Sequence, residues 1–98
     1  MSDRSRYARA PAVLWRRVGN EILVLAPEAP SPSSLSPAAA IVWDELETPS
    51  RLDEMTDSLA SAFGRDPSDM RADLEGILRE LERSGMVVVE ESVEASGG

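Results

Sequence analysis

The sequence predicts an α+β fold in which an N-terminal three-stranded antiparallel sheet packs on three helices. Two short runs rich in Val, Leu, Ile and Trp, residues 12–18 and 21–26, flank Gly19-Asn20, a pair that readily adopts the positive φ angles of a two-residue hairpin turn. Apolar residues then recur at helical spacing in three segments between residues 37 and 85. The following Met-Val-Val-Val run has the composition of a strand.

The two faces of the hairpin differ in character. If the turn has two residues, one face combines three residues from each strand, namely Val13, Trp15, Arg17, Ile22, Val24 and Ala26. We expect this face, which carries Trp15, to point toward the core. The other face is also fairly apolar, and two interpretations stay open for it: packing of the tail, or self-association.

The third strand is expected at the sheet edge, over residues 31–35. Three prolines in residues 27–34 each remove a ladder donor, and an edge strand is where a sheet tolerates proline. Ser36 is then a residue type that is typical of an N-cap, and Pro37 stands at the first helical position. The first helix is predicted from residue 37 to about residue 47, before Pro49.

Two further helices follow. The second is predicted over residues 52–63, with Gly64 at its end. The third is the longest, starting at Asp66-Pro67, where Asp66 is suited to cap the first turn with Asp69 three residues on. It ends at Gly85. Its apolar positions recur three or four residues apart and form one stripe: Met70, Leu74, Ile77, Leu78 and Leu81.

Composition bounds the organisation and the chemistry. The 98 residues are sufficient for one domain, expected at 11–89, between a disordered basic arm at 1–10 and a flexible acidic tail at 90–98. The chain has no Cys and no His, so a thiolate nucleophile, sulfur metal ligands, and the commonest general base and metal ligand are missing. No signal peptide or membrane-spanning run is evident, which favours a cytoplasmic location. We expect no catalytic residues, no metal and no cofactor.

Helices arranged in this way beside a small sheet resemble a winged helix-turn-helix domain, so DNA binding is a necessary alternative. The net charge is −8, although residues 1–20 contain five arginines against one aspartate. The third helix carries three arginines against six carboxylates, whereas a recognition helix needs basic residues for phosphates and base edges. The charge pattern therefore disfavours nucleic acid and favours a basic or apolar partner.

A set of motifs in a fixed order resembles the PqqD-like domains, the recognition elements of ribosomally synthesised peptide biosynthesis. L-S-P-x-A-x-x-V-W-x-x-L occupies residues 35–46, F-G residues 63–64, D-x-x-x-x-L-x-x-L residues 73–81, and S-G-M residues 84–86. The resemblance covers residues 11–88. The chain departs from the family at residues 27–34, where many members have a glycine and an aromatic residue before L-N.

The resemblance implies that a precursor's leader segment adds as an antiparallel strand to the third strand and packs against the third helix. On this sequence the strand edge would be Ser31, Pro32, Ser33, Ser34 and Leu35. The helix wall would be Met70, Arg71, Leu74, Glu75 and Leu78. In addition, Asp69 and Arg71 would orient charged leader residues, while Met70 and Leu74 would form the floor of an apolar pocket.

A free-standing domain of this size is similar to the leader-binding proteins of lasso-peptide pathways. That subgroup implies a leader peptidase and an ATP-dependent cyclase as partners, no membrane, and a monomer or weak dimer. Two alternatives remain open: a PqqD-type peptide chaperone for a radical-SAM pathway, and a DNA-binding winged-helix regulator.

Overall fold

The structure, a computed structural model, describes residues 5–91. Within this range it contains five strands and three helices: β1 (Ser5–Arg9), β2 (Leu14–Val18), β3 (Glu21–Leu25), β4 (Ser33–Ser34), α1 (Pro37–Glu45), α2 (Leu52–Phe63), α3 (Pro67–Arg83) and β5 (Val87–Glu91). The strands form a three-stranded antiparallel sheet in the order β2-β3-β4 and a two-stranded antiparallel sheet of β1 and β5. The predicted α+β class, with a three-stranded sheet and three helices, is confirmed.

The predicted hairpin is confirmed in both position and register. Gly19 has a φ of +63°, and Trp15 lies opposite Val24 as a two-residue turn requires. Ile22 and Val24, on the Trp15 face, are fully buried. The opposite face remains open, since Leu14 is 67% exposed.

The third strand is shorter than expected. Only Ser33–Ser34 pair with β3, and Leu35 adds one further bond by donating its N–H to the Ile22 carbonyl at 3.0 Å. Pro30 and Pro32 account for the shortening, because each ring fixes φ near about −65°, away from the φ of about −140° of an antiparallel strand.

The first strand lies where a disordered arm was expected. Ser5–Arg9 pairs along its whole length with β5, and Tyr7 exchanges two backbone hydrogen bonds with Ser50 on its other side, at 2.7 and 3.0 Å. Residues 90–91 of the expected tail are part of β5. Residues 1–4 and 92–98, the rest of the expected arm and tail, lie outside the described residues.

The helices start and end close to the predicted residues. Ser36 caps α1, since its Oγ accepts the Ala39 N–H at 3.1 Å. Asp66 is the N-cap of α3, but its carboxylate accepts a hydrogen bond from the Ser68 hydroxyl at 3.2 Å rather than from a backbone N–H. Gly64 ends α2 with a left-handed φ of +63°.

The core lies where the three helices meet the inner face of β3. The largest fully buried side chains, which fix this arrangement, are Trp43, Ile22, Leu46, Met55, Leu74, Leu78, Val24, Val42 and Val87. The longest helix, α3, packs against α2, α1 and β5. Among the described residues, no helix is both long and apolar enough to cross a membrane.

Candidate functional site

The helix α3 presents two different flanks beside its buried stripe. Residues three or four apart share a face of a helix, so the buried Met70, Leu74, Leu78 and Leu81 define the core side. One flank, which we call the groove flank, carries Ala72, Asp73, Gly76, Ile77 and Glu80. The opposite flank carries Arg71, Glu75 and Glu82 and lies near Tyr7 of β1.

The chain lies close to α3 or its C-terminal turn at two points just beyond the strands of the three-stranded sheet. Ser36, two residues after the end of β4, lines a groove of about 510 Å³ together with Gly76 and Ile77. At the other end of the sheet, Ala26 and Gly85 line a shared depression. The edge strand β4 therefore leads into an open groove between α3 and the N-terminal turn of α1.

No strand among the described residues pairs with the outer edge of β4, and the register determines which backbone groups point outward there. Leu35 donates to Ile22, and hydrogen-bonded and non-hydrogen-bonded pairs alternate in an antiparallel ladder. The N–H and C=O of Ser34, opposite Leu23, therefore point away from β3. By the same alternation Pro32 offers a carbonyl at this edge and no donor. We call this edge, centred on Ser34, the open rim.

The groove floor is formed by small side chains. Ala72 and Gly76 lie one turn apart on α3, and Ala38 faces them from α1. A Cβ added to Gly76 would meet no atom within 4 Å, so no neighbour requires a glycine there. Glycine in a helix interior is about 1 kcal/mol less favourable than alanine. Gly76 therefore makes α3 less stable than alanine would, and the absence of a side chain leaves space in the groove.

An apolar pocket continues from the groove between the three helices. It has a volume of about 370 Å³, shares Ala38, Asp73 and Ile77 with the groove, and is lined deeper down by Met70 and Leu74. Ile41 and Phe63 line the edge of this pocket, and Phe63 is 53% exposed. The exposed ion pair Arg65–Asp73, 2.8 Å apart, lies at the mouth. The combined cavity is suited to apolar side chains of an extended peptide.

Some of the site residues that were predicted from the sequence lie at the open rim or in the apolar pocket. Residues 31–34 are exposed and Leu35 is half-buried, at or beside the open rim. Met70 and Leu74 do line the apolar pocket, but they are 6% and 1% exposed and belong to the core. Leu78 is equally buried, and Asp69 is exposed in the first turn of α3.

The residues of the expected helix wall lie on different flanks of α3. Arg71 and Glu75 lie on the flank opposite the groove and form an exposed ion pair with each other at 3.7 Å. Arg71 lines a cavity with Tyr7 and Val89 of the two-stranded sheet instead. The apolar period correctly identified the buried stripe of α3, but a period does not show which flank of a helix faces a distant sheet. Gly76, a glycine within a strong helical pattern, was the available signal for the groove flank.

The opposite flank has its own electrostatic character. Burial and the carboxylates of Glu82 and Glu75 raise the pKa of Tyr7, while Arg79 and Arg71 partly oppose this effect. Arg83 of α3 also has a carboxylate partner, since it lies 3.8 Å from Glu80. Such an acidic helix does not present the basic face that phosphates require. Among the described residues, no group of three or more His, Cys, Asp or Glu side chains is placed to hold a metal ion.

Solved structures with the same fold include two relatives. One is TbiB1 in complex with the TbiA(beta) leader peptide, with a TM-score of 0.71 and 21% identity, covering 82% of this chain and 93% of that chain. Another is the PqqD truncation of PqqCD from Methylobacterium extorquens, a functional and stand-alone recognition element for ribosomally synthesised and post-translationally modified peptides. It has a TM-score of 0.69 and 20% identity, and the match covers 85% of this chain and 88% of that chain.

Sequence comparison gives the family directly. No curated protein matches the chain at a significant level. The family model for coenzyme PQQ synthesis protein D, PqqD, matches residues 21–87, which extend from β3 through α3 to the start of β5. This match contains the whole groove and the open rim. The chain is therefore a member of the PqqD family.

Proposed function

We propose that this chain is a non-catalytic recognition element that binds the leader segment of a ribosomally synthesised precursor peptide. The observation that carries the proposal is the open rim at Ser34 beside the groove. An extended peptide placed there completes the backbone hydrogen bonds of the sheet and buries its side chains against a helix. The leader complex of TbiB1, which has the same fold, supports this assignment.

We propose a pose for such a leader from the register of β4. Its central residue pairs with Ser34, accepting from the Ser34 N–H and donating to the Ser34 carbonyl, as in a hydrogen-bonded antiparallel pair. Successive side chains of a strand point to opposite faces, so the two leader residues flanking this pair point toward α3. They enter the groove at Gly76 and Ile77. The preferred leader therefore has apolar residues two positions apart, one on each side of the residue that pairs with Ser34.

The open rim offers few hydrogen bonds, which makes the groove important for affinity. Pro32 contributes only a carbonyl, and α1 begins at Pro37, so the ladder has a single complete pair at Ser34. Binding must therefore depend on apolar burial in the groove and pocket as well. The bound leader then brings the core segment of the precursor to a leader peptidase and an ATP-dependent cyclase, as in lasso-peptide biosynthesis, by raising its local concentration.

The family match favours a second pathway of the same binding class. PqqD takes its name from coenzyme PQQ synthesis, and a PqqD-type chaperone would present its precursor to a radical-SAM enzyme. Both pathways use the same rim and groove, so they differ in the enzyme that receives the peptide. Co-purification with the maturation enzymes encoded nearby separates them.

Ser34→Pro tests the binding mode. The substitution removes the outward N–H of the open rim while the bonds from Ser33 and Leu35 to β3 remain. An unmade hydrogen bond costs about 1–3 kcal/mol, so we expect leader affinity to fall about 10- to 100-fold. The measurement is fluorescence anisotropy with labelled synthetic leader peptides from precursors encoded beside this chain.

Ser34→Ala is the matched control, because it removes the same hydroxyl and keeps the N–H. It should bind like the unmodified chain, and circular dichroism should show both variants folded. Equal affinity of the proline and alanine variants would exclude strand addition at β4. Failure of the unmodified chain to bind any such leader would exclude the function itself.

A further inference from the structure

Arg9, the last residue of β1, joins three elements that no shared strand ladder connects. Its guanidinium carbon lies 4.8 Å from the ring centroid of Trp15 on β2 and 4.9 Å from that of Trp43 on α1. The two indole rings contact each other edge to face, 5.9 Å apart and inclined at 75°. Cations are attracted to aromatic faces at such distances, so Arg9 holds both rings at once.

Arg9 also caps the end of α1. Its Nε and Nη2 donate to the Trp43 carbonyl at 3.1 and 2.7 Å, in the last turn of the helix. The Trp43 carbonyl also accepts the Leu46 N–H at 3.1 Å, and the negative end of the helix dipole favours a cation there. Burial lowers the pKa of Arg9, and the carboxylates of Asp44 and Glu47 oppose this change. An arginine guanidinium stays protonated in proteins, so the contact is a cation contact.

The three-stranded sheet has few other attachments to the helices. All five residues of β2 are exposed, and the contacts that the described residues show for this strand with α1 are the Trp15–Trp43 contact and the Arg17–Asp44 ion pair at 2.8 Å. That ion pair is exposed and contributes little. The remaining attachments are the inner face of β3, which is part of the core, and the half-buried Val13 and Leu35. The angle between the sheet and the helices therefore depends strongly on the cluster around Arg9.

We propose that Arg9 is a positioning residue for the leader groove: by bridging Trp15 and the end of α1, it fixes the distance between the open rim and the groove flank of α3. The inference rests on the proposed function, since it assigns Arg9 a role in the same site without contact with the peptide. The open rim and α3 bind one extended peptide together only if their separation is fixed. Loss of the bridge lets the sheet pivot on β3.

The test compares Arg9→Gln with Arg9→Lys and with a matched control. Lysine keeps the cation but loses the planar fork, so it should restore part of the effect. Arg6→Gln removes the same charge from an exposed position of the same strand. The free-protein measurement is amide hydrogen exchange by NMR at Leu35, whose N–H bonds to β3, relative to Leu78 in the core of α3.

We expect Arg9→Gln to accelerate exchange at Leu35 about tenfold more than at Leu78 and to weaken binding of the labelled leader about tenfold. In Arg9→Lys both effects should be intermediate between those of Arg9→Gln and the unmodified chain. Arg6→Gln should behave like the unmodified chain in both measurements. The two tryptophans of the chain both belong to the cluster, so their fluorescence reports its disruption directly.

Equal acceleration at both amides, or none, overturns the proposal, because a merely structural residue would change global stability without favouring the sheet. Unchanged leader affinity in a variant with selectively faster Leu35 exchange overturns it as well. If the unmodified chain binds no leader, the proposed function fails, and the exchange ratio alone then decides whether Arg9 positions the sheet.

Discussion

Substitutions at Gly76 should separate effects on folding stability from effects on leader binding. It lies in the interior of α3 on the groove floor, where an added Cβ meets no atom within 4 Å. Replacing an interior helical glycine with alanine reduces the conformational cost of folding by about 1 kcal/mol. Because no clash offsets this gain, Gly76→Ala should raise the melting temperature by about 4–8 °C for a domain of this size.

A larger side chain at the same position should have opposite effects on folding and on binding. Leucine has nearly the same helix propensity as alanine, so Gly76→Leu should be at least as stable as the unmodified chain. Its side chain, however, extends into the groove of about 510 Å³ in which we propose that the leader binds. We expect leader affinity to fall at least about tenfold, or 1.4 kcal/mol.

The assay pairs thermal unfolding by circular dichroism with anisotropy of a labelled leader. Arg79→Leu is the control, since it places the same side chain on an exposed position of α3 outside the groove lining. Leader affinity should not change in this control. A stable Gly76→Leu variant that binds the leader normally would refute the position assigned to the groove, and a destabilised Gly76→Ala variant would refute the packing argument.

Two further predictions concern the fold. Leu74→Ala should lower the free energy of unfolding, measured by urea denaturation, by about 2–5 kcal/mol, because the residue is 1% exposed and its truncation leaves a cavity. A loss well under about 2 kcal/mol would mean that α3 is not central to the core. The pKa of Tyr7 is raised, so the folded state holds the phenolic proton more tightly than the unfolded chain does. The stability that this group contributes is therefore complete below pH about 10 and is lost as the pH rises through the folded pKa. Tyr7→Phe, which removes the only tyrosine, should flatten this alkaline loss in denaturant series from roughly pH 9 to 12, and an equally steep loss in the variant would contradict it.

The elements that local chemistry determines were predictable from the sequence. Gly19-Asn20 specifies a two-residue turn, and the alternation on either side of it fixed the register that places Trp15 opposite Val24. Ser36-Pro37 marks the start of α1 in the same way. In each case the deciding residues are close in sequence, so tertiary contacts did not override them.

The features that escaped prediction depend on distant partners. The polar segment Ser5–Arg9 shows no strand pattern of its own and is a strand because β5 pairs with it, with Arg6 opposite Glu90. The orientation of α3 relative to the sheet is likewise a tertiary property. The period of its apolar residues located Leu74 and Leu78 in the core, but the choice between Gly76 and Glu75 as the groove side required the packed structure.

The pairing of β1 with β5 has a practical consequence for engineering this domain. Ser5 lies directly opposite Glu91, so their Cα atoms are about 5 Å apart, on the side of α3 that faces away from the groove. A reporter or enzyme fused at either position would project away from the bound peptide. A short linker between these two positions would also allow circular permutation, with new termini opened at the exposed Gly19-Asn20 turn, while the peptide-binding surface stays intact.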